Sequence, residues 1–248
     1  MGKISSFIRE LGRKKRFNSA IILAAGSGTR FSPERKKQFE EICSLPVIVR
    51  SALAFEKCED IHEIVVVTAV ADIEGTRNIL RSHGITKLTK VVAGGDTRRA
   101  SAKRGFDAAN PECDFVLIHD AARCLVTPDM IGKTLYEAYL HGAAACATVE
   151  VDTLKRTTRD GIIVETVDRE NVYRVQTPQI FMADMYRAAA YMAERDGIEA
   201  TDDCGLCERL GFKVKLVECG KTNIKITYPE DVIIAEAILR SREISEAK

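Results

Sequence analysis

The sequence predicts an α/β protein built on a mostly parallel sheet with helices on both faces. Three observations carry this. Short, near-continuous apolar runs recur at 20–23, 64–68, 91–93, 115–118 and 143–151, the pattern of strands buried on both faces. Segments of helical spacing lie between them, as strand–helix–strand units require. Several runs end in small or polar residues: Gly26-Ser27-Gly28, Gly94-Gly95-Asp96 and His119-Asp120. In an open parallel sheet the ligand crevice lies outside the carboxyl ends of the strands, so these three ends define one candidate site in a Rossmann-like architecture.

Taken in order, residues 1–18 stand apart as an amphipathic and basic extension. Ile4, Phe7, Ile8 and Leu11 share one helical face, and Arg13-Lys14-Lys15-Arg16 follows. The main domain spans 19–248. After the first strand and its Gly-rich turn, helical patterns occupy 47–55, 72–82, 98–109 and 128–140, interleaved with the other strands. From 152 to 173 the pattern changes to a protruding hairpin arm. A turn at Thr157-Thr158-Arg159-Asp160-Gly161 lets 162–167 pair back, and little apolar surface is available on one side. Thr177-Pro178-Gln179 then leads to a helix over 183–194. Thr201-Asp202-Asp203 caps another helix to 210, 213–218 is a strand, and 223–227 is extended. Pro229 opens the last helix.

Composition narrows the function. The 248 residues are 46% hydrophobic, enough for one large domain with a sizeable core. A net charge of +1 gives no global basic field for nucleic acid, and aromatics at 6% with no Trp give few stacking platforms. No apolar stretch approaches membrane-spanning length. Cys204-Gly-Leu-Cys207 has no second ligand pair at similar spacing, as a zinc site requires. Free thiols without a secretion signal point to the cytoplasm.

The Gly-rich turn carries the chemistry. A Walker loop would need Gly-Lys where Phe31-Ser32 stand, and a dinucleotide fingerprint would need a third glycine at Phe31. What remains is Ala24-Ala25-Gly26-x-Gly28-x-Arg30 with Lys37-Gln38. Small residues let the backbone approach a ligand, bare N–H groups hold phosphate oxygens, and the cations match a triphosphate.

These pieces, with Gly94-Gly95-Asp96-x-Arg98-x-x-Ser101, His119-Asp120-Ala121-Ala122-Arg123, Thr166-Val167-Asp168-Arg169, Thr177-Pro178-Gln179, Thr201-Asp202-Asp203 and Asn223-Ile224-Lys225-Ile226-Thr227-x-Pro229-Glu230-Asp231, resemble the 2-C-methyl-D-erythritol 4-phosphate cytidylyltransferase family from about 20 to 240. Relatives using ribitol 5-phosphate, or another polyol phosphate, share several of the motifs. A non-catalytic nucleotide-binding protein of the same fold is the reading from a different class. Phe31 and Cys124 depart from the family pattern without removing a charge or donor.

The resemblance implies CMP transfer from CTP with Mg²⁺ and release of pyrophosphate. By it, Arg30, Lys37, Arg169 and Lys225 are catalytic. Ala24, Ala25, Gly26, Gly28, Gly95, Asp96, Ser101, Asp120 and Ala121 bind the nucleotide. Asp120, Arg169, Thr177, Thr201 and Lys225 bind the polyol phosphate, and Asp120 is the candidate metal ligand. Arg169 is implied to act from the arm of a second subunit, hence a homodimer. Plainer roles stand beside these. Lys37 could be a solvated lysine, Asp96 or Thr201 a helix cap, and Arg169 a hairpin surface residue. A buried Asp120 requires a cationic or hydroxyl partner.

Overall fold

The computed structural model describes residues 16–26, 28–32 and 35–246. The helix expected near the amino terminus lies outside them, as does Ser27 of the Gly-rich turn.

Eleven strands and seven α-helices are formed among the described residues. The strands are β1 (Asn18–Leu23), β2 (Glu41–Ile42), β3 (Leu45–Pro46), β4 (Glu63–Thr68), β5 (Leu88–Ala93), β6 (Phe115–Asp120), β7 (Ala143–Val149), β8 (Lys155–Thr157), β9 (Ile163–Thr166), β10 (Tyr173–Met182) and β11 (Lys215–Glu218). The helices are α1 (Val47–Glu56), α2 (Ile73–Ser82), α3 (Arg98–Ala108), α4 (Pro128–His141), α5 (Ala183–Arg195), α6 (Asp203–Arg209) and α7 (Glu230–Glu246). Seven strands form the central sheet in the order β11-β7-β10-β6-β1-β4-β5. All its neighbouring pairs are parallel except those of β10, which runs antiparallel to both β6 and β7.

Adjacent residues on each strand feed opposite cores, which is why the runs are apolar throughout. Ile22, Val66, Leu117 and Ile180 pack with Ile48, Phe55, Leu80 and Leu135 on one face. Ile21, Val67, Val116 and Phe181 pack with Ala102, Phe106, Tyr186 and Leu206 on the other. Gly105 lets α3 lie close to the sheet, since a Cβ there would collide with Ile21 and would sit 2.7 Å from Val67 Cγ2. Phe31, Leu125, Ile226 and Ala235 form a third cluster under α7. Phe31 is 4% exposed, so this departure from the family pattern is a core residue.

Two expectations need correction. The pattern assigns no strand to 173–182, yet β10 is ten residues long and lies inside the sheet. Gln176, Thr177, Pro178 and Gln179 interrupt its apolar run. The register shifts between Val175 and Gln179, and this irregularity accommodates the proline. The buried polar side chains are hydrogen-bonded instead of solvated: Gln179 accepts from the backbone of Asp203 and Cys204, and Gln176 accepts from Asn223. Second, β6 runs to Asp120 where 115–118 was expected, because His119 and Asp120 pair with Ile22 and Leu23. Asp120 therefore sits on the rigid sheet and not in a loop. The 223–227 segment is irregular chain, tied to the sheet end by Ile226 N–H to Ala122 O at 2.8 Å.

The arm leaves β7 and returns at β10, closed at its base by Glu150 N–H to Val172 O at 3.0 Å. Strands β8 and β9 pair antiparallel, and both are exposed along their length.

Candidate active site

The carboxyl ends of β1, β5 and β6 open into one cleft of about 490 Å³. It gathers Ala24, Ala25, Gly26, Gly28, Arg30, Lys37, Gly95, Asp96, Ser101, Asp120, Ala121 and Lys225, twelve of the residues singled out from sequence. Arg169, Thr177 and Thr201 do not line it.

The Gly-rich turn has a local cause. Gly28 takes a φ of +66°, open to glycine at little cost, and its carbonyl accepts from Phe31 N–H at 2.8 Å. Burial of Phe31 pins the turn and leaves Arg30 exposed at the cleft. The solvated-lysine alternative fits Lys36, which pairs with Asp72 at 2.6 Å at the surface. Lys37 turns inward through a short 3₁₀ turn, and its Nζ donates to Ile226 O at 3.2 Å. Burial, with Lys225 nearby, pushes its ammonium below the usual lysine range. That cation is under-compensated, and an anion entering the cleft restores the balance.

Gly94 and Gly95 shape the opposite wall. A Cβ at Gly94 would collide with Ala25, and one at Gly95 would lie 2.6 Å from Ala100 Cβ. Ser101 Oγ accepts from Gly95 N–H at 3.1 Å and holds this loop. The cap of α3 is Thr97, whose side chain accepts from Ala100 N–H, so Asp96 is not the helix cap. The Asp96 carboxylate makes no hydrogen bond among the described residues and faces the cleft.

Asp120 has the cationic partners its burial requires. Lys225 Nζ donates to Oδ2 at 2.6 Å and Arg98 Nε to Oδ1 at 3.2 Å. Burial opposes its charge, but Arg98 and Lys225 outweigh that and hold the carboxyl well below the usual range. Arg98 continues to Asp203 at 2.6 Å, and Tyr186 donates to the same carboxylate at 2.9 Å. Arg98 was visible only as a motif residue, and Asp203 only as part of a helix start. Their pairing across 105 positions leaves no local sequence signal.

Lys225 reaches the cleft because its flanks are fastened. Asn223 Nδ2 donates to Gln176 and to Thr177 O, Arg123 donates to Asn223 O at 2.8 Å, and Ile226 is tied to Ala122. Thr177 lies beneath the site. Its hydroxyl accepts from Asp120 N–H at 3.1 Å and is 3.0 Å from His119 Nδ1. Thr201 is exposed, and Asp202 caps α6 by accepting from Gly205 N–H. Arg169 is exposed on the arm and donates to Val151 O.

No group of three or more His, Cys, Asp or Glu side chains that could hold a metal occurs among the described residues. Asp120 presents its carboxylate to the cleft beside Lys225.

The family model for 2-C-methyl-D-erythritol 4-phosphate cytidylyltransferase matches residues 19–241. The chain is 41% identical over 223 residues to the protein of that name from Caldanaerobacter subterraneus subsp. tengcongensis, covering 90% of this chain and 98% of the relative. It is 38% identical over 229 residues to the one from Alkaliphilus metalliredigens, covering 92% and 95%. Among solved structures it resembles 4-diphosphocytidyl-2C-methyl-D-erythritol synthase from Anaerococcus prevotii, with a TM-score of 0.81 at 30% identity over 91% of this chain and 97% of that one. The Thermus thermophilus cytidylyltransferase gives a TM-score of 0.73 at 30% identity, over 89% and 98%. Fold, cleft and sequence agree: the chain belongs to the 2-C-methyl-D-erythritol 4-phosphate cytidylyltransferase family.

Proposed function

We propose that this protein transfers CMP from CTP to 2-C-methyl-D-erythritol 4-phosphate. Pyrophosphate leaves and 4-diphosphocytidyl-2-C-methyl-D-erythritol forms, a step of the non-mevalonate isoprenoid route. The observation that carries this reading is the cleft itself, where Lys37, Arg30 and Lys225 surround a glycine-bearing backbone with one fixed carboxylate.

The acceptor phosphate is already an anion, so attack on the α-phosphorus needs no strong base. Catalysis then consists of positioning and charge stabilisation in an in-line displacement. Backbone N–H groups of the Gly-rich turn hold the triphosphate. Arg30 and Lys37 stabilise charge on the α-phosphoryl group, and the depressed Lys37 ammonium gains most from that anion. Asp96, Ser101 and the Gly95 backbone read the cytosine edge. A wrong base there would leave buried polar groups unpaired.

Lys225 holds the acceptor phosphate, and Asp120 keeps Lys225 aimed while offering an oxygen to the acceptor hydroxyls. Arg169 and Thr201 complete the acceptor site, with Arg169 supplied by the arm of a second copy in a homodimer. Exposed Ile162, Ile163 and Val164 on the arm, each at least 60% exposed, are the apolar surface such a dimer would bury. The donor set suits a divalent cation of the Mg²⁺ kind, since one carboxylate, Asp120, is what a phosphate-borne Mg²⁺ asks of a protein. When bound, such an ion neutralises charge on the triphosphate. No helix among the described residues is long and apolar enough to cross a membrane, and we assign the enzyme to the cytoplasm.

The test is pyrophosphate release with CTP and Mg²⁺, offering 2-C-methyl-D-erythritol 4-phosphate and ribitol 5-phosphate in parallel. Turnover with the erythritol substrate supports the assignment. Preference for ribitol phosphate would overturn the acceptor, and CTP binding without turnover would overturn the activity.

A further inference from the structure

Away from the cleft, two thiols meet on neighbouring parallel strands. Cys146 lies on β7 and is fully buried, while Cys219 directly follows β11 and is partly exposed. Cys219 N–H donates to Ala147 O at 2.9 Å, which places the two side chains beside each other. Their sulfurs are 3.2 Å apart, and Thr134 Oγ1 lies 3.1 Å from Cys146 Sγ and 3.8 Å from Cys219 Sγ. A disulfide bond is about 1.1 Å shorter than this separation, and forming it draws the end of β11 toward β7.

We propose that Cys146 and Cys219 form a reversible oxidation site, which a hydroperoxide joins as a disulfide that constrains the segment carrying Lys225. The structural link is short. Gly220 O accepts from Gln176, Asn223 is held by Gln176, Thr177 and Arg123, and Lys225 follows two residues later. A bond at Cys219 pulls this segment toward β7 at one end while its other end stays tied to Ala122.

The thiols differ as a nucleophile and a resolving group should. Hydrogen bonding with Cys146 lowers the Cys219 thiol below its ordinary range, whereas burial raises Cys146. Burial also pushes the thiols of Cys58, Cys113, Cys124, Cys204 and Cys207 up. Within the pair, Cys219 is the partly exposed thiol and Cys146 the buried one, so Cys219 reacts first. It attacks one peroxide oxygen, the O–O bond breaks, and Cys219 becomes a sulfenic acid while the other oxygen leaves as hydroxide and takes a proton. The Cys146 sulfur then attacks the Cys219 sulfur, and the sulfenic oxygen leaves as water with the Cys146 proton. In sum, two thiols lose two electrons to one hydrogen peroxide and give a disulfide and two waters.

The effect on turnover rests on the CMP-transfer reading; the thiol pairing does not. The test treats the full chain with hydrogen peroxide, alkylates the remaining thiols, maps peptides by mass and assays pyrophosphate release. The expected result is a cross-linked pair of peptides containing Cys146 and Cys219 and lacking two hydrogens. A displaced Lys225 should lower turnover about tenfold or more, with recovery in dithiothreitol. Cys219→Ser and Cys146→Ala should start near the untreated activity and lose the peroxide response. Alkylation of both thiols after peroxide, or cross-linking elsewhere, overturns the site. A Cys146–Cys219 disulfide with unchanged turnover overturns the coupling. Should the reduced protein release no pyrophosphate, the CMP-transfer reading fails while the peptide map still decides the disulfide.

Discussion

The cleft and the arm are built on opposite principles. In the cleft the central charged groups are fixed by distant parts of the chain: Asp120 by Lys225 and Arg98, Arg98 by Asp203, and Asp203 by Tyr186. In the arm the bonds are local, the side chains are exposed, and Arg169 donates to the carbonyl of Val151 at its base. A preorganised half and an open half divide the proposed reaction. The residues proposed for the nucleotide line one chain's cleft together with Lys225 and Asp120, while two others proposed for the acceptor, Arg169 and Thr201, stay outside it. The division follows from solvation. Charges on a sheet end need partners to be buried, whereas the hairpin's side chains stay in water and need none.

Substitutions can break or sharpen this contrast. The largest effect belongs to the cleft cations: Lys37→Ala and Lys225→Ala should each lower kcat/KM by about 10³-fold, measured by pyrophosphate release. Next, Asp203→Asn should cost about 3 kcal/mol by stripping Arg98 of a buried partner, read from denaturant unfolding. Arg169→Ala should lower kcat/KM by about 10²-fold yet leave unfolding and CTP affinity unchanged. Destabilisation matching that of Asp203→Asn would erase the distinction between the two regions. Ile163→Asp should split the proposed dimer in sedimentation without unfolding the chain.

The smallest effect is a slope. Burial keeps His119 neutral, pushing its pKa down to about 3 from 6.5. As pH falls through that window the unfolded chain takes the proton and the folded chain does not, so stability falls with pH. The loss reaches about 1.4 kcal/mol per pH unit. Unfolding of His119→Asn measured from about pH 6 to about pH 4 should show a correspondingly flatter acid limb.

Much of the cleft was legible because its residues sit in short runs at strand ends, where an apolar stretch gives way to glycine, Asp or Lys. The arm was legible from its turn at Gly161, which takes a φ of +81°. What stayed hidden depends on pairing across the chain. Strand β10 reads as polar and carries Pro178, and only its partners Asn223, Asp202 and Asp203 allow Gln176 and Gln179 to be buried. Thr177 was expected at the substrate but sits below Asp120, where it fixes the backbone that presents the carboxylate. The Arg98–Asp203 contact joins α3 to α6 across the sheet end, a distance that no local spacing encodes.

The most direct test of the division between cleft and arm is subunit complementation. Lys225→Ala and Arg169→Ala proteins, each strongly impaired alone, are mixed, allowed to exchange subunits and assayed with CTP and 2-C-methyl-D-erythritol 4-phosphate. If Arg169 serves the cleft of a second copy, half the dimers are mixed and each has one intact site, which restores roughly a quarter of the wild-type activity. If mixing restores nothing while exchange is complete, Arg169 acts within its own chain or not at all, and the proposed division is wrong.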